Sequence, residues 1–318
     1  MRILTGIQPS GKLHWGNYFG AMKSMFDLQA KGEDMFMFIA NFHAMTTVRD
    51  GAALREATRE VALDYLACGL DPTKTTVYRQ SDVPEVQELA WYLSCLTPMG
   101  LLERCHSYKD KMAHGFEATH GLFAYPVLMA ADILIMNSDL VPVGKDQKKH
   151  LEVTRDLCQK FNNAFGEIFK LPDAYIPDSV ATIPGTDGQK MSKSYHNTIE
   201  LFDPSAKKKV MGIVTDSTPM EDPKEPEGNS IYELYKLFAT PEEVAEMAAA
   251  FRAGGYGYGS AKKALLAAYH RLFDPFAARR AELAKDPDAL EDILREGAKK
   301  ARAAAAVQME KVRAAVGL

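Results

Sequence analysis

The 318-residue sequence has little that would tie it to a membrane, a metal or a disulfide framework. Its four cysteines (Cys68, Cys95, Cys105 and Cys158) are far apart and form no Cys-x-x-Cys pair, a pattern that favours free thiols over zinc clusters or disulfides. Apolar runs are short, and residues 124–131 fall well below the roughly 18 residues that span a bilayer. No secretory signal pattern opens the chain. We therefore expect a cytoplasmic protein, not membrane-bound, with no metal ligands of its own.

The composition is that of an ordered globular protein. Hydrophobic residues make up 47% of the chain and charged residues 25%, and the length allows one large or two moderate domains. Residues 251–318 hold 13 Lys and Arg against 8 Asp and Glu, whereas the rest of the chain holds 25 basic and 34 acidic residues. This basic C-terminal region indicates either a polyanionic partner or a solvated helical surface.

Strand and helix signals alternate over the first 195 residues. Strands are predicted for 2–6, 35–40 and 75–78, with helical patterns after each of them. Beyond about residue 195 only helices are predicted, at 242–252, 260–272, 277–284 and 290–316. The pattern predicts an α/β, Rossmann-like, doubly wound parallel sheet in residues 1–195, followed by a C-terminal all-helical domain in residues 196–318.

The turn after the first strand has residues suited to phosphate binding. It runs from Gly6 to Asn17 and enters the first helix, which is where α/β sheets bind nucleotides. Free backbone N–H groups at a helix start, with His14 and Asn17, can donate to phosphate oxygens, and Gly16 lets a flat base lie close. A tight connection without a ligand explains the turn alone equally well.

A second basic segment is Lys190-Met191-Ser192-Lys193-Ser194, preceded by the loop 185–189. Lysines and serines on a Gly-flanked loop can donate charge-assisted hydrogen bonds to a triphosphate. The alternative is a solvated basic loop.

Asp132 is unusual because it lies in an otherwise apolar segment. Tyr125, Met129 and Asp132 are spaced to share one helix face. A buried carboxylate needs a hydrogen-bond partner. The indole N–H of tryptophan is one candidate partner, and an internal Arg, Lys or helix N-terminus is the other.

The turn containing His14, Gly16 and Asn17 and the segment Lys190–Ser194 lie about 175 residues apart. Together and in this order, the two motifs resemble those of class I aminoacyl-tRNA synthetases. Over essentially its whole length the chain is similar to the bacterial-type tryptophanyl-tRNA synthetases. The resemblance is carried by the segments 6–11, 16–21, 43–44, 125–134 and 141–156. It implies a homodimer that uses ATP and Mg²⁺ to activate L-tryptophan and transfer it to tRNA(Trp).

The resemblance also implies roles for individual residues. Phosphate chemistry is expected of His14, Asn17, Lys190 and Lys193. ATP binding is expected of Gln8, Pro9, Ser10, Gly16, Asn17, Gly144, Lys145, Asp146, Ile183, Lys190, Met191, Ser192, Lys193 and Ser194. Tryptophan binding is expected of Leu4, His43, Tyr125, Met129, Asp132, Val141, Val143 and Gln147, and pyrophosphate contact of Lys109 and Lys111. tRNA contact is expected of Lys262, Lys263, Arg271, Arg279, Arg280, Lys299, Lys300 and Arg302.

Several of these residues have an equally simple structural interpretation. Core packing accounts for Leu4, Val141 and Val143, a structural histidine for His43, and a solvated surface for the lysines at 109 and 111. Without the resemblance, His150 is expected to face solvent or cap a helix.

The chain also departs from the family pattern. Trp15 is bulkier than usual, Asn41 stands where Asp is frequent, and residues 106–108 differ from the common Thr-Gln-Phe. A tyrosyl-type synthetase, another nucleotidyltransferase and a duplicated synthetase turned regulator or RNA-binding protein remain as alternatives.

Overall fold

The computed structural model describes residues 1–105, 115, 117, 119–144, 148–175 and 183–318. Its strands are β1 (Arg2–Ile7), β2 (Asp34–Ile39), β3 (Thr75–Arg79), β4 (Leu140–Pro142) and β5 (Asp173–Tyr175). Its first helices are α1 (Trp15–Asn17), α2 (Lys23–Ala30), α3 (Asn41–Ala44), α4 (Gly51–Cys68), α5 (Glu85–Leu96), α6 (Met99–Glu103), α7 (His120–Ile135) and α8 (Lys148–Phe165). Later helices are α9 (Ala206–Met211), α10 (Ser230–Phe238), α11 (Pro241–Ala253), α12 (Tyr258–Leu283) and α13 (Pro287–Val316).

The strands form one parallel sheet in the order β3-β2-β1-β4-β5. The chain therefore winds outward from β1 in both directions, and the predicted α/β, Rossmann-like fold is confirmed. β1, β2 and β3 coincide with the predicted strands. β4 and β5 were not predicted as strands because three residues each are too few to show a hydrophobic period.

The chain divides into two compact units that do not follow the single boundary expected near residue 195. The sheet unit comprises Met1–Gly11, Met25–Pro177 and Asp286–Leu318, and the helical unit comprises Lys12–Ser24 and Asp178–Lys285. The last helix, α13, thus belongs with the sheet although its sequence pattern placed it in the helical region. Within the described part of the chain, each helix is either too short or too polar to span a bilayer.

Direct packing on β3 explains the position of α13. At Gly297 a methyl group would overlap the backbone carbonyl of Val77, so helix and strand approach each other as backbones. Ala298, Ala301 and Ala305 continue this small-residue face and are buried in the core of the sheet unit. Small residues let a long helix lie close to a strand, because no side chain stands between the two backbones.

The helical unit is centred on an aromatic cluster. Trp15, fully buried, lies 4.7 Å from Phe238 and 5.1 Å from Tyr269 between ring centroids. Phe273 continues the cluster towards Tyr18 at 5.0 Å. The bulky residue at position 15 is therefore a core residue of this unit.

α12 corrects one prediction. Two helices, 260–272 and 277–284, were expected with a break at Pro275, but a single helix runs from Tyr258 to Leu283 with Pro275 inside it. Proline removes one backbone donor and usually ends a helix. Here Phe273 and Phe276 pack on each other at 5.8 Å across the proline, so aromatic packing offsets the lost hydrogen bond.

Candidate active site

The sheet unit gathers predicted site residues at the carboxyl edge of its strands. Gln8 follows β1, His43 lies on α3 after β2, and Gly144 follows β4. Gln8 Nε2 donates to the His43 carbonyl at 3.3 Å. Ligand sites of doubly wound sheets form at this edge, because several loops meet there.

Asp132 is buried at this edge, 3% exposed, on α7. His43 Nε2 lies 2.9 Å from Asp132 Oδ2, and Gln80 Nε2 donates to Oδ1 at 2.9 Å and to Oδ2 at 2.8 Å. The carboxylate therefore has internal partners, but they are a histidine and an amide rather than the Arg, Lys or helix N-terminus considered from the sequence. Burial raises the pKa of Asp132, while His43 and then Gln80 oppose that shift.

Gln80 was missed by sequence reasoning. It is 1% exposed and directly follows β3, so the carboxyl end of a predicted strand was the available signal. Its Oε1 accepts the backbone N–H of Phe42 at 3.0 Å and that of His43 at 3.4 Å. These two bonds orient the amide, because they commit its oxygen to α3 and turn its NH₂ towards Asp132.

The other predicted tryptophan-binding residues divide between the site and the core. Tyr125 is half-buried, with its ring 6.1 Å from that of His43, and Met129 is half-buried beside the core. The residues with core positions are Leu4, Val141 and Val143.

The expectation that His150 faces solvent or caps a helix is wrong. It is 5% exposed, and its Nε2 lies 2.5 Å from the Tyr125 hydroxyl. The side chain turns inward because this hydrogen bond and the adjoining core replace its contact with water.

The helical unit carries the second half of the predicted phosphate-binding turn, residues 12–17. His14 is 7% exposed, and its backbone N–H donates to Asn17 Oδ1 at 3.0 Å. This bond commits the Asn17 oxygen and leaves its NH₂ as the side that can donate to a ligand. Burial, and next the nearby Lys193, lower the pKa of His14 from 6.5 to about 4, so its imidazole is neutral at pH 7.

The two sequence motifs meet within this unit. The backbone N–H of Gly16 donates to Met191 Sδ at 3.4 Å across 175 positions of sequence. Beyond the lysine-rich segment, Ile199 O accepts the Trp15 N–H at 3.0 Å, and Leu201 N–H donates to Leu13 O at 3.0 Å. The chain after the second motif is thus hydrogen-bonded beside the first, so both motifs form one surface of the helical unit.

Asn197 organises the second motif and was also missed from the sequence. It is 2% exposed; its Oδ1 accepts the Ser192 N–H at 2.8 Å, and its Nδ2 donates to Lys190 O at 3.1 Å and to Asp187 Oδ1 at 2.7 Å. A methyl at Gly185 would overlap the Asn197 side chain, so that glycine provides the space the asparagine occupies. The segment is therefore a fixed loop within its own unit.

Cationic side chains project from this loop to different extents. Lys190 is exposed, whereas Lys193 is half-buried. Burial lowers the pKa of Lys193, and Glu200 opposes the shift. The Ser192 and Ser194 hydroxyls lie 2.8 Å apart, and buried Ile183 accepts the Met191 N–H at 2.8 Å. The loop therefore offers ammonium and hydroxyl donors suited to an anion.

The predicted ATP residues are assigned to both units. Gln8, Pro9, Ser10 and Gly144 belong to the sheet unit, and the remaining described ones belong to the helical unit. Among the described residues no group of three or more His, Cys, Asp and Glu is arranged to hold a metal ion. Five predicted residues lie outside the described ones: Lys109, Lys111, Lys145, Asp146 and Gln147.

The predicted tRNA-contacting cations differ in what they contact. Lys262 is a correction: it is buried and donates to the carbonyls of Met211 at 3.0 Å and Ile213 at 2.6 Å, so its ammonium is bonded within the helical unit. Three others form ion pairs, namely Arg271 with Glu243, Lys299 with Glu296 and Arg302 with Glu85. Arg280 stacks over Phe202 at 5.7 Å. The exposed ones include Lys263, Arg279 and Lys300.

Comparisons with known proteins agree on one family. The model for "tRNA synthetases class I (W and Y)" matches residues 1–274. The chain is 56% identical over 320 residues to the tryptophan–tRNA ligase of Rhodopirellula baltica and 51% identical to that of Campylobacter jejuni, with all of each chain covered.

Solved structures give the same result. The crystal structure of Campylobacter jejuni tryptophanyl-tRNA synthetase complexed with ADP and tryptophan is similar at a TM-score of 0.94 and 51% identity, covering all of both chains. A tyrosyl-tRNA synthetase from Archaeoglobus fulgidus complexed with L-tyrosine shares the fold at a TM-score of 0.68 and 21% identity, covering 88% of this chain and 90% of that one.

Proposed function

The chain belongs to the class I tRNA synthetases of the tryptophan and tyrosine family, and we propose that it activates L-tryptophan with ATP and transfers it to tRNA(Trp). The tryptophan carboxylate attacks the α-phosphorus of ATP, which forms tryptophanyl-adenylate and releases pyrophosphate. A ribose hydroxyl at the 3′ end of the tRNA then attacks the activated carbonyl and releases AMP.

The observation that carries the choice of amino acid is the buried Asp132. A carboxylate at the edge of an apolar core is an acceptor for a single N–H donor on an otherwise apolar ring. The indole ring of tryptophan has such an N–H, whereas phenylalanine has none and tyrosine carries a hydroxyl at another position. Half-buried Met129 and Tyr125 on the same helix are suited to contact the ring and the amino group.

The phosphate chemistry needs no protein nucleophile, because the substrate carboxylate attacks and pyrophosphate leaves once its charge is neutralised. We assign that neutralisation to Lys190 and Lys193, with His14 and Asn17 as neutral donors. A Mg²⁺ ion enters as part of MgATP and supplies further charge neutralisation on the phosphates.

The deciding experiment is amino-acid-dependent exchange of pyrophosphate into ATP. Tryptophan should support exchange, while tyrosine and phenylalanine should support little. Exchange with tyrosine instead would favour a tyrosyl-type enzyme. No exchange with any amino acid would favour a duplicated synthetase that has become a regulator.

We further propose that the basic helices contact tRNA(Trp) and that the protein is a cytoplasmic homodimer. The exposed cations Lys263, Arg279 and Lys300 support the tRNA contact, because Lys and Arg neutralise phosphates with little dependence on sequence. Removing all three charges should weaken tRNA binding and flatten its salt dependence, with exchange activity unchanged. Sedimentation equilibrium tests the dimer.

A further inference from the structure

We propose that Gln80 is a positioning residue for amino-acid specificity, which orients the Asp132 carboxylate and leaves one acceptor site on it for an indole N–H. The inference rests on the proposed function. Asp132 Oδ2 accepts from both His43 and Gln80, whereas among the described residues Oδ1 accepts from Gln80 alone. A carboxylate oxygen has about two acceptor sites, so the vacant one is on Oδ1.

Glutamine suits this position because the oxygen and the NH₂ of its amide bond to different elements. Its oxygen accepts the N–H groups of Phe42 and His43 at the start of α3, where the N-cap residue Ala40 has no side-chain acceptor. Its NH₂ is then available only to the carboxylate on α7. Gln80 thereby joins three elements: the end of β3, the start of α3 and the last turn of α7.

The amide also favours the form of Asp132 that accepts a hydrogen bond. Among the described residues, the groups facing the carboxylate are His43 on α3, Gln80 after β3 and the buried phenol of Tyr78 on β3. A donor to the carboxylate stabilises its ionised form, whereas burial stabilises the protonated form, which would present an O–H to the ring N–H. Loss of Gln80 therefore removes both orientation and charge stabilisation.

The test compares two substrates that differ in one group. Gln80→Met retains side-chain length but removes the amide, and kcat/KM for pyrophosphate exchange is measured with L-tryptophan and with β-(3-benzothienyl)-L-alanine, in which sulfur replaces the N–H. We expect kcat/KM for tryptophan to fall about 10- to 100-fold, mainly through KM. The substitution removes the Gln80 hydrogen bond to the charged Asp132, and the loss of such a bond has an effect of this size. The sulfur analogue should change much less.

Gln29→Met is the matched control. Gln29 is another buried glutamine of the sheet unit; it donates to Gly69 O and accepts from the Asp71 N–H and the Thr75 hydroxyl. Its loss should leave the ratio of the two substrates at the wild-type value. Equal losses for both substrates in Gln80→Met would overturn the inference and indicate a merely structural role.

A second variant keeps the test valid if Gln80→Met folds poorly. Gln80→Glu retains an acceptor for the two α3 N–H groups but places a second carboxyl against Asp132. The preference for tryptophan over the analogue should fall, and fall further as pH rises and both carboxyls ionise. In an Asp132→Asn background, Gln80→Met should not change the ratio again, and an additive effect would overturn the inference.

The two hypotheses fail differently. Wild-type protein without tryptophan-dependent exchange would overturn the proposed function and this inference together. Wild-type exchange with an unchanged substrate ratio in both Gln80 variants would overturn the inference alone.

Discussion

At the scale of single residues, environment gives ordinary side chains distinct tasks. Burial raises the pKa of the Asp132 carboxyl group, and its hydrogen-bond partners are His43 and Gln80. Lys193 is a half-buried ammonium whose pKa burial lowers. Each group costs free energy to bury in its charged form, and a ligand of complementary chemistry would compensate part of that cost.

Asp132→Asn should reduce the preference for tryptophan over phenylalanine. An asparagine has one oxygen, which the Gln80 NH₂ would occupy, so its own NH₂ would face the indole N–H. We expect the ratio of kcat/KM values in pyrophosphate exchange to fall about 10²-fold or more, within the roughly 10⁴–10⁵ that hydrogen-bonded sites achieve. Asp64→Asn, at a buried aspartate on α4, is the control. Full selectivity in Asp132→Asn would refute this role.

Lys193→Ala should slow adenylate formation without weakening tryptophan binding. One charged donor to the phosphates is lost, which for a comparable transition-state donor costs about 10²–10³ in kcat. Tryptophan affinity, measured by equilibrium dialysis without ATP, should stay within about twofold of wild type. Lys207→Ala removes an exposed lysine of the same unit and should leave both quantities unchanged. Parallel losses of rate and affinity in Lys193→Ala would contradict the assignment.

At the scale of elements, small and polar residues determine where helices and loops lie. Asn197 fixes the loop that contains Lys190 and Lys193 through three side-chain hydrogen bonds, and Gly185 leaves space for the Asn197 side chain. Gly297 allows α13 to approach β3 as closely as two backbones can. These three residues act through packing and hydrogen bonds, and they fix the positions of a loop and a helix.

Gly297→Ala should destabilise the sheet unit. The added methyl overlaps the Val77 carbonyl, so helix and strand must separate, and overpacking of this kind costs about 1–3 kcal/mol. Urea unfolding measures the change in the free energy of unfolding, provided that the m value is the same in both proteins. Gly259→Ala is the matched control, because that helical glycine on α12 has open space around it. This substitution should instead raise the free energy of unfolding by up to about 1 kcal/mol. Equal effects of the two substitutions would show that α13 is not packed as described.

At the scale of the whole molecule, buried titratable groups make stability depend on pH. In the helical unit His14 has a pKa of about 4 when folded against 6.5 for its ordinary value. Between these values the unfolded chain binds a proton that the folded chain does not, so stability rises with pH from about 4 to 6.5. Burial would raise the pKa of Asp203, but Lys209, Ser205 and the Glu200 N–H outweigh it and lower that pKa to about 2.

Acid should therefore destabilise the helical unit in two stages. The first, between about pH 6.5 and 4, amounts to at most about 3 kcal/mol and should disappear in His14→Gln. The second, between about pH 4 and 2, comes from protonation of Asp203 and should disappear in Asp203→Asn. Fluorescence of buried Trp15 in a Trp91→Phe background reports urea unfolding of this unit. A first stage that persists in His14→Gln would contradict the low pKa.

The amino-acid sequence by itself determined what depends on neighbours along the chain. The short apolar segments of β1, β2 and β3, the stop of α4 at Gly69 and the apolar surroundings of Asp132 all arise within a few positions. The two motifs predicted to bind phosphate were also recognisable, because each is a short contiguous pattern. Short β4 and β5 carried too few residues to show a period, and Pro275 indicated a break that aromatic packing overrides.

Only the tertiary structure decided which distant residues meet. Gln80 and Asp132 are 52 positions apart, and Gly16 and Met191 are 175 apart. The hydrophobic pattern of α13 does not predict that this helix packs on β3. An amphipathic pattern indicates that a helix has a buried face but not which element covers that face. Such contacts depend on strand order and backbone approach, which are properties of the folded chain as a whole.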